Sequence, residues 1–468
     1  MFQCSQISSH RRPNRVRYQP FSSEWAYATV VDTQITVLEI LVVSVMHGGV
    51  IPFRGTGADA RRYVEADRSR ADDYYLGEGT TVAEFAVIDG AGNVTTALGL
   101  DPGAYAGWVD WMNPVTGESM GTPRLPGEGR QGSPRFMEMV VTSPKSLSIA
   151  AALHPEVSDA LDQAQQAALS EIRRWLAQHS VTRVGPRGRQ EVVPIEHMQV
   201  VGITHRTSRA GDPHRHIHMQ VGTRVWAAGK WRALDTGAMF KQQGAIRALG
   251  MGVIAAHPQL AAVLDRHGLT LDAVRGEVAE LQQFNGVMSK RGAQVGKHLD
   301  RMTAEWEAAH PGETMGPVVA SRLRAQAWAY ERPAKKPTTL REEAAWLAEL
   351  RAAGYDPQAL QRPATPAPVG LDDLSVQEVA SRALDRCAAG ASAWTTHTVQ
   401  EHATRIMTEY GVRAAPDQIR DFVTVATRLA LEDCFSILPP DAPHPEHVAH
   451  LTSVRVLHAE TQLRDLLT

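Results

Sequence analysis

Residues 205–218 read HRTSRAGDPHRHIH, and this stretch decides the expected fold. It ends one strand-like apolar run, 200–207, and leads into another, 216–225. The residues between them, 208–213, include Ser, Gly, Asp and Pro, which favour a turn. Two strands joined by a short turn pair side by side in antiparallel orientation. The sequence therefore predicts the centre of an antiparallel sheet here.

Three histidines in this stretch, His205, His216 and His218, follow the spacing H-x10-H-x-H. Alternate residues of a strand project from the same face, so His216 and His218 share a face, and the paired strand brings His205 beside them. Three converging imidazoles form an open metal site that leaves positions for water or a phosphate oxygen. Spacing alone also fits a polar hairpin that holds several of the 19 histidines, so both interpretations stay open at this point.

The remaining pattern predicts an α+β fold, an antiparallel sheet with covering helices followed by a mostly helical C-terminal part. Residues 136–142 are a compact apolar run of strand length, and helices are expected over 147–179, 238–255 and around 271–284. The domain boundaries expected from composition are a poorly ordered leader at 1–45, a main domain at 46–340 and a helical extension at 341–468, with a Pro-rich linker near 363–368.

Composition is that of a globular protein: the chain has 468 residues, 43% of them apolar and 21% charged. Three cysteines are too few to staple a chain of this size, so a cytoplasmic location is expected. The longest apolar stretch, 35–46, is too short to span a bilayer, so no membrane insertion is expected.

Basic residues are concentrated in two segments, although the net charge is −3. Residues 181–235 contain nine Arg and Lys against four Asp and Glu, and residues 286–336 contain nine against five. Such segments indicate either local anion-binding faces or solvated surfaces.

Three motifs together resemble those of MobF-class conjugative relaxases, the TrwC/TraI type of HUH endonuclease. Residues 205–218 are similar to the metal motif of that family, and residues 142–148 (TSPKSLS) are similar to its strand-to-helix element. Residues 72–75 (DDYY) match its tyrosine segment. The motifs occur in the order of the family and cover roughly residues 46–340.

The resemblance implies a relaxase fold and a reaction in which a tyrosine attacks single-stranded DNA to form a 5′-phosphotyrosine. Tyr74 is the expected nucleophile, Tyr75 is the second candidate and Tyr63 the third. The resemblance also implies one divalent ion, Mg, Mn or Zn, bound by the three histidines of the metal motif.

Further site residues follow from the same resemblance. Glu138 stands where the family commonly has an aspartate that orients a metal-binding histidine. The glutamate side chain is longer, so the alternative is that Glu138 is an ordinary charged residue on an edge strand. The expected DNA-binding residues are basic and lie in or near the motifs and the second basic segment: Lys145, Arg209, Lys290, Arg291, Arg322 and Arg324.

The implied partners are single-stranded or hairpin DNA of a plasmid or integrative-element transfer origin and a type IV secretion coupling protein. No G-x-x-x-x-G-K-[ST] motif occurs, so the helicase that usually follows such a relaxase is not expected in this sequence. Two alternatives stay open: a rolling-circle replication initiator or transposase, and a non-catalytic DNA-binding remnant of a truncated relaxase.

A second histidine series, His444, His447 and His450, recurs every three residues near the C-terminus. Prolines on both sides of His444 and the absence of a nearby cysteine argue against a metal site. Glu446 offers a ligand but does not share the spacing. An exposed helix start is the expected structure.

Overall fold

A computed structural model describes residues 49–67, 82–331, 341–360, 367–440 and 446–467. The predicted leader at 1–45, the DDYY segment with Tyr74 and Tyr75, His444 and most of the Pro-rich linker lie outside these residues. The described chain divides into two compact units. The larger takes in residues up to 294 and those from 341 onward, and the smaller consists of 295–331.

The larger unit is built on one antiparallel sheet in which the strands follow the order β1-β4-β8-β7-β2-β3, and the hairpin β9–β10 is attached to β7. Two short hairpins, β5–β6 and β11–β12, stand apart from it. The strands are β1 (Ile51–Phe53), β2 (Ala83–Asp89), β3 (Val94–Leu100), β4 (Phe136–Thr142), β5 (Val181–Val184), β6 (Glu191–Pro194), β7 (His197–Thr207), β8 (Pro213–Gly222), β9 (Arg224–Ala227), β10 (Lys230–Ala233), β11 (Cys434–Ser436) and β12 (Leu451–Ser453).

Helices make up most of the C-terminal part, as predicted, and they cover both faces of the sheet. They are α1 (Gly57–Asp67), α2 (Pro102–Val109), α3 (Lys145–Leu153), α4 (Pro155–His179), α5 (Thr236–Phe240), α6 (Gln243–Ala255), α7 (Pro258–Arg266), α8 (Lys290–Ala309), α9 (Pro317–Ala329), α10 (Arg341–Ala352), α11 (Val376–Gly390), α12 (Thr396–Glu409), α13 (Pro416–Glu432) and α14 (Val454–Leu467). The smaller unit holds most of α8 and all of α9.

The two faces of the sheet are buried by different helices. On one face, alternate residues of β4 and β8 such as Met139 and Met219 join the long helix α4 in the main hydrophobic core. On the other face, Phe85 and Val201 join α1 and α2 in a second core. Because side chains of a strand alternate between faces, the histidines of the metal motif, which share a face with Val201, lie on the side of α1 and α2.

The predicted strand at 136–142 coincides with β4, and the predicted antiparallel pair around the turn is β7 and β8. The expected helical stretch 147–179 is two helices, since α3 ends at Leu153 and Pro155 begins α4. Proline at the first position of a helix starts it without losing a needed N–H bond.

The helix expected around 271–284 is wrong. Asp272 accepts hydrogen bonds from the backbone of the next turn, and Gly276 takes a left-handed φ of +68°. Leu271 then forms an isolated bridge with Val278, so only a short 3-10 turn at Gln282–Phe284 remains. An aspartate that binds the backbone two and three residues ahead favours a turn over a helix.

The C-terminal helices pack on the same unit as the sheet. Gly252 of α6 lies so close to α12 that an added Cβ would stand 2.9 Å from Thr408 Oγ1. Arg420 of α13 makes two hydrogen bonds of 2.9 Å to the Glu171 carboxylate of α4. The boundary at 340 between a main domain and an extension remains a prediction.

No single helix among the described residues is long and apolar enough to cross a membrane, and one bent pair, α6 with α7, reaches the required length and composition when the two are taken together.

Candidate metal centre

The imidazoles of His205, His216 and His218 meet on one face of the sheet. His205 pairs with His216 across β7 and β8, and His218 follows two residues later on the same face. One ring nitrogen from each of the three lies within 4.8 Å of the other two, and the ring centroids are 4.9–5.2 Å apart. His205 and His216 are 6% and 8% exposed, so their rings are shielded from solvent. The strand register alone produces this convergence.

Two of the rings have a neighbour that contacts one of their nitrogens. His216 Nδ1 lies 2.9 Å from the His214 carbonyl oxygen, so it donates its proton there and Nε2 keeps the lone pair. His218 Nδ1 lies 3.1 Å from Glu138 Oε1, although the ring is not aligned for a linear hydrogen bond. A carboxylate or carbonyl at the far nitrogen is the usual partner of a metal-binding histidine.

Glu138 is itself held by a chain of buried polar groups. Gln220 donates from Nε2 to Glu138 Oε2 over 3.1 Å, and Tyr105 of α2 donates its hydroxyl to Gln220 Oε1 over 2.8 Å. Tyr105 and Gln220 are each 1% exposed. This series of hydrogen bonds fixes the orientation of the carboxylate next to His218. Gln220 was not among the predicted site residues, although it lies two residues after His218 and the alternation of the strand places it on the same face.

The turn that joins β7 to β8 is held from inside. Asp212 is 1% exposed and accepts hydrogen bonds from the Lys290 backbone N–H at 2.9 Å and from Lys290 Nζ at 3.0 Å. Trp346 donates from its indole to the Gly211 carbonyl oxygen, and Gly211 has a left-handed φ of +82°. Asp212 of the motif therefore binds the start of α8 to the hairpin that carries the histidines.

The basic residues predicted to bind DNA occupy different surroundings. Lys145 is partly buried and donates from Nζ to the Pro213 carbonyl oxygen, and burial lowers its pKa to about 8. Lys290 is paired with Asp212 and with Glu349, whose hydrogen bonds raise its pKa against the opposing effect of burial.

Arg291 is 7% exposed and donates to Gln294, whereas Arg209 is half-buried in the turn. Arg322 and Arg324 are exposed on α9, in the smaller unit. Their roles in binding DNA remain predictions.

The helix that precedes the tyrosine segment packs on the histidine side of the sheet. Thr56 and Asp59 cap the start of α1 with reciprocal bonds, Thr56 N–H to the Asp59 carboxylate and Asp59 N–H to the Thr56 hydroxyl. A Cβ on Gly57 would stand 2.1 Å from the Ala106 carbonyl oxygen, so only glycine allows α1 to approach α2 this closely. Residue 67 ends α1, and Tyr74 and Tyr75 follow outside the described residues.

The donor set fits a divalent transition metal. Three neutral imidazoles suit zinc, copper, iron or nickel better than magnesium, which prefers oxygen ligands. The three nitrogens leave coordination positions open, as in metal sites that act on a substrate.

A sequence profile of the TrwC relaxase family matches residues 57–353. Curated protein sequences give no significant match. Similar solved structures include the conjugative relaxase TrwC with oriT DNA in a copper-bound form (21% identity, TM-score 0.46), the metal-free complex (20%, 0.46) and TrwC with a 27-mer containing the recognition hairpin and cleavage site (20%, 0.44). Each alignment covers 66% of this chain and 99% of the other. Because the profile spans more than half of the sequence, including all three histidines, this chain belongs to the TrwC relaxase family.

Proposed function

We propose that the protein is a metal-dependent, site-specific single-strand DNA endonuclease and strand transferase that acts at the transfer origin of a plasmid or integrative element. The observation that carries this proposal is the cluster of three imidazoles, with Glu138 against one of them, on the sheet face where α1 packs. A site with this donor set suits a phosphodiester, whose oxygens bind a metal.

The proposed reaction is a transesterification. The phenolic oxygen of Tyr74 attacks the scissile phosphorus, a new P–O bond to tyrosine forms, and the bond from phosphorus to the 3′ oxygen of the upstream nucleotide breaks. That oxygen takes up a proton and leaves as a free 3′-hydroxyl. The 5′-phosphotyrosine keeps the bond energy, so a second 3′-hydroxyl can reverse the step and rejoin a strand.

The residues of this chain prepare each part of the reaction. Tyrosine has a pKa of about 10 in water, so its proton must pass to a base or to solvent during attack. His205, His216 and His218 would hold a divalent ion, which supplies Lewis-acid polarisation of the phosphate when bound. Glu138, 3.1 Å from His218 Nδ1, would hold the ring so that its other nitrogen can bind the ion.

Binding of the DNA is assigned to basic side chains. Arg209 lies in the turn that carries the metal motif, and Arg322 and Arg324 present exposed guanidinium groups on α9. Arginine contacts to phosphate are strong and depend on salt. By family resemblance the partners are hairpin DNA of the transfer origin and a type IV secretion coupling protein, and the site of action is the cytoplasm.

A nicking assay tests the proposal. Labelled single-stranded oligonucleotides that tile the locus around the gene are incubated with the full chain, a divalent metal and, in parallel, a chelator. We expect cleavage at one position, with the protein attached to the 5′-phosphate end of the downstream fragment, and loss of cleavage with chelator or in His216→Ala. His458→Ala, at an exposed position on α14, is the matched control and should cut normally.

Different results would support other functions. Tight DNA binding without cleavage under any metal would make the chain a non-catalytic remnant. Cleavage at a replication origin and not at a transfer origin would make it a replication initiator.

A further inference from the structure

A second group of metal-ligating side chains lies at the C-terminal end of α4, on the helix that covers the opposite face of the sheet. His179 is the last residue of α4, His397 lies in the first turn of α12, and Glu446 precedes β12. One ligand atom from each lies within 4.8 Å of the other two. Among the described residues, this group and the histidine triad are the two sets of three that meet this distance.

His397 is the unusual member of the group. It is 2% exposed, and neither of its ring nitrogens has a hydrogen-bond partner. An imidazole that is buried with both nitrogens unpaired has lost the hydrogen bonds that it had with water, and this loss is unfavourable. In its neutral form, an imidazole at this position offers one nitrogen lone pair to a metal ion.

The other two members bring a carboxylate and a second imidazole to the same point. His179 Nδ1 lies 2.7 Å from Glu446 Oε2, and the rings of His179 and His397 meet edge to face with centroids 5.2 Å apart. The His179 ring is fixed by Trp175, whose ring centroid is 3.9 Å away. Gln242 accepts a hydrogen bond from the Trp175 indole and donates one to the His179 carbonyl oxygen, which holds the end of α4 in place.

We propose that His179, His397 and Glu446 form a second metal site that binds one zinc-class divalent ion and fastens the C-terminal segment to the end of α4. Two imidazoles and one carboxylate are a common ligand set for zinc and for ferrous iron, and they disfavour magnesium and calcium. A bound ion would give a partner to one of the unpaired nitrogens of His397. It would replace the hydrogen bond between His179 and Glu446 with two metal bonds.

The site differs from the histidine triad in both ligands and place. His397 and Glu446 lie beyond residue 353, where the match to the relaxase family ends. The fourth position is left to water or to His447, which is next to Glu446 and half-buried. Since the ligands come from α4, α12 and the segment before β12, the ion would join parts of the chain that are far apart in sequence. A metal that binds only the folded state stabilises it.

Of the series His444, His447 and His450, neither described member is one of the three grouped ligands. His450 is 5% exposed, and its Nδ1 lies 3.1 Å from the Ser436 hydroxyl on the strand pair β11–β12. The residues from 446 to 450 form a turn and extended chain, so the expectation of a helix start is wrong for this part. Glu446, which does not share the histidine spacing, is the ligand that meets His179 and His397.

Metal stoichiometry of the full chain tests the proposal. The protein is stripped with a chelator, equilibrated with Zn²⁺ and analysed for zinc by elemental mass spectrometry. We expect two equivalents for the parent and one for Glu446→Ala, with nicking activity retained. Glu446 is 53% exposed, so its truncation should leave the fold intact. Glu432→Ala, at an exposed position that ends α13, is the matched control and should keep two equivalents.

A second measurement isolates the new site. In His216→Ala/His218→Ala, which lacks two ligands of the triad, one equivalent of Zn²⁺ should remain and should raise the melting temperature. Adding Glu446→Ala to this background should abolish both effects. The proposal is overturned if the double variant binds no zinc, or if Glu446→Ala retains the stoichiometry of Glu432→Ala. Neither result would bear on nicking, which uses the other site.

Discussion

Replacing Glu138 with Gln should weaken metal binding at the histidine triad. Two donors face the two carboxylate oxygens of this residue: Gln220 Nε2 lies 3.1 Å from Oε2, and His218 Nδ1 lies 3.1 Å from Oε1. A glutamine amide has one oxygen and one NH₂ group, so it can accept from only one of these donors. In either orientation of the new amide, its NH₂ group faces one of these two donors.

The size of the effect follows from the contact between His218 and the carboxylate, which is close but is not a linear hydrogen bond. Losing the carboxylate partner of a metal-binding histidine typically weakens metal binding by about 10–100-fold. The His218 and Glu138 side chains are 12% and 19% exposed, and this partial access of water favours the lower end of the range. We expect Glu138→Gln to weaken binding by about tenfold.

Calorimetric titration with Zn²⁺ measures this change. Titrating the parent and His216→Ala in parallel identifies the part of the heat that belongs to the triad. Glu191→Gln, at an exposed position on β6, is the matched control and should bind as the parent does. Metal binding by Glu138→Gln with unchanged affinity would refute the prediction, because it would show that the carboxylate does not position His218.

Three further predictions concern the basic residues and the turn. Burial lowers the pKa of Lys145 to about 8, so the unfolded chain binds more protons than the folded one between pH 8 and 10.5. The free energy of unfolding should therefore rise over that range by at most about 3 kcal/mol. Lys145→Met should remove this rise in urea titrations run at several pH values. Asp212→Asn should lower the free energy of unfolding by about 2–3 kcal/mol, because the buried carboxylate loses its ion pair with α8; an unchanged urea midpoint would contradict this. Arg322→Ala with Arg324→Ala should reduce the slope of log affinity for single-stranded DNA against log salt by about 0.7 for each phosphate that is no longer neutralised, whereas Arg428→Ala on α13 should not; equal slopes would remove both residues from the DNA site.

Local sequence patterns predicted the elements that carry the histidine triad. The alternation in 216–218 and the turn residues at 208–213 define the register of β7 and β8, and register alone brings the three rings together. The position of Glu138 came from the resemblance, and β4 places it beside His218 because it lies diagonally across from that residue in the sheet.

Other features depend on contacts that no local pattern contains. The helix expected around 271–284 fails because side-chain bonds of Asp272 and the backbone of Gly276 stabilise a turn in a stretch with helix-like spacing. The sequence predicts that Lys290 binds DNA and gives no sign of a partner within the protein, but the buried Asp212 carboxylate pairs with it. His179, His397 and Glu446 are far apart in sequence and meet only in the folded larger unit, so a search by spacing could not find them.

The most direct test of the central claim is to locate the covalent bond between this protein and DNA. The full chain is incubated with the cleaved oligonucleotide and divalent metal, the adduct is digested with protease and nuclease, and the modified peptide is sequenced by mass spectrometry. We predict a 5′-nucleotide on Tyr74 and no adduct in Tyr74→Phe, with Tyr75→Phe still reactive. Full adduct formation by Tyr74→Phe, or an adduct linked through the 3′ end of the DNA, would contradict this claim.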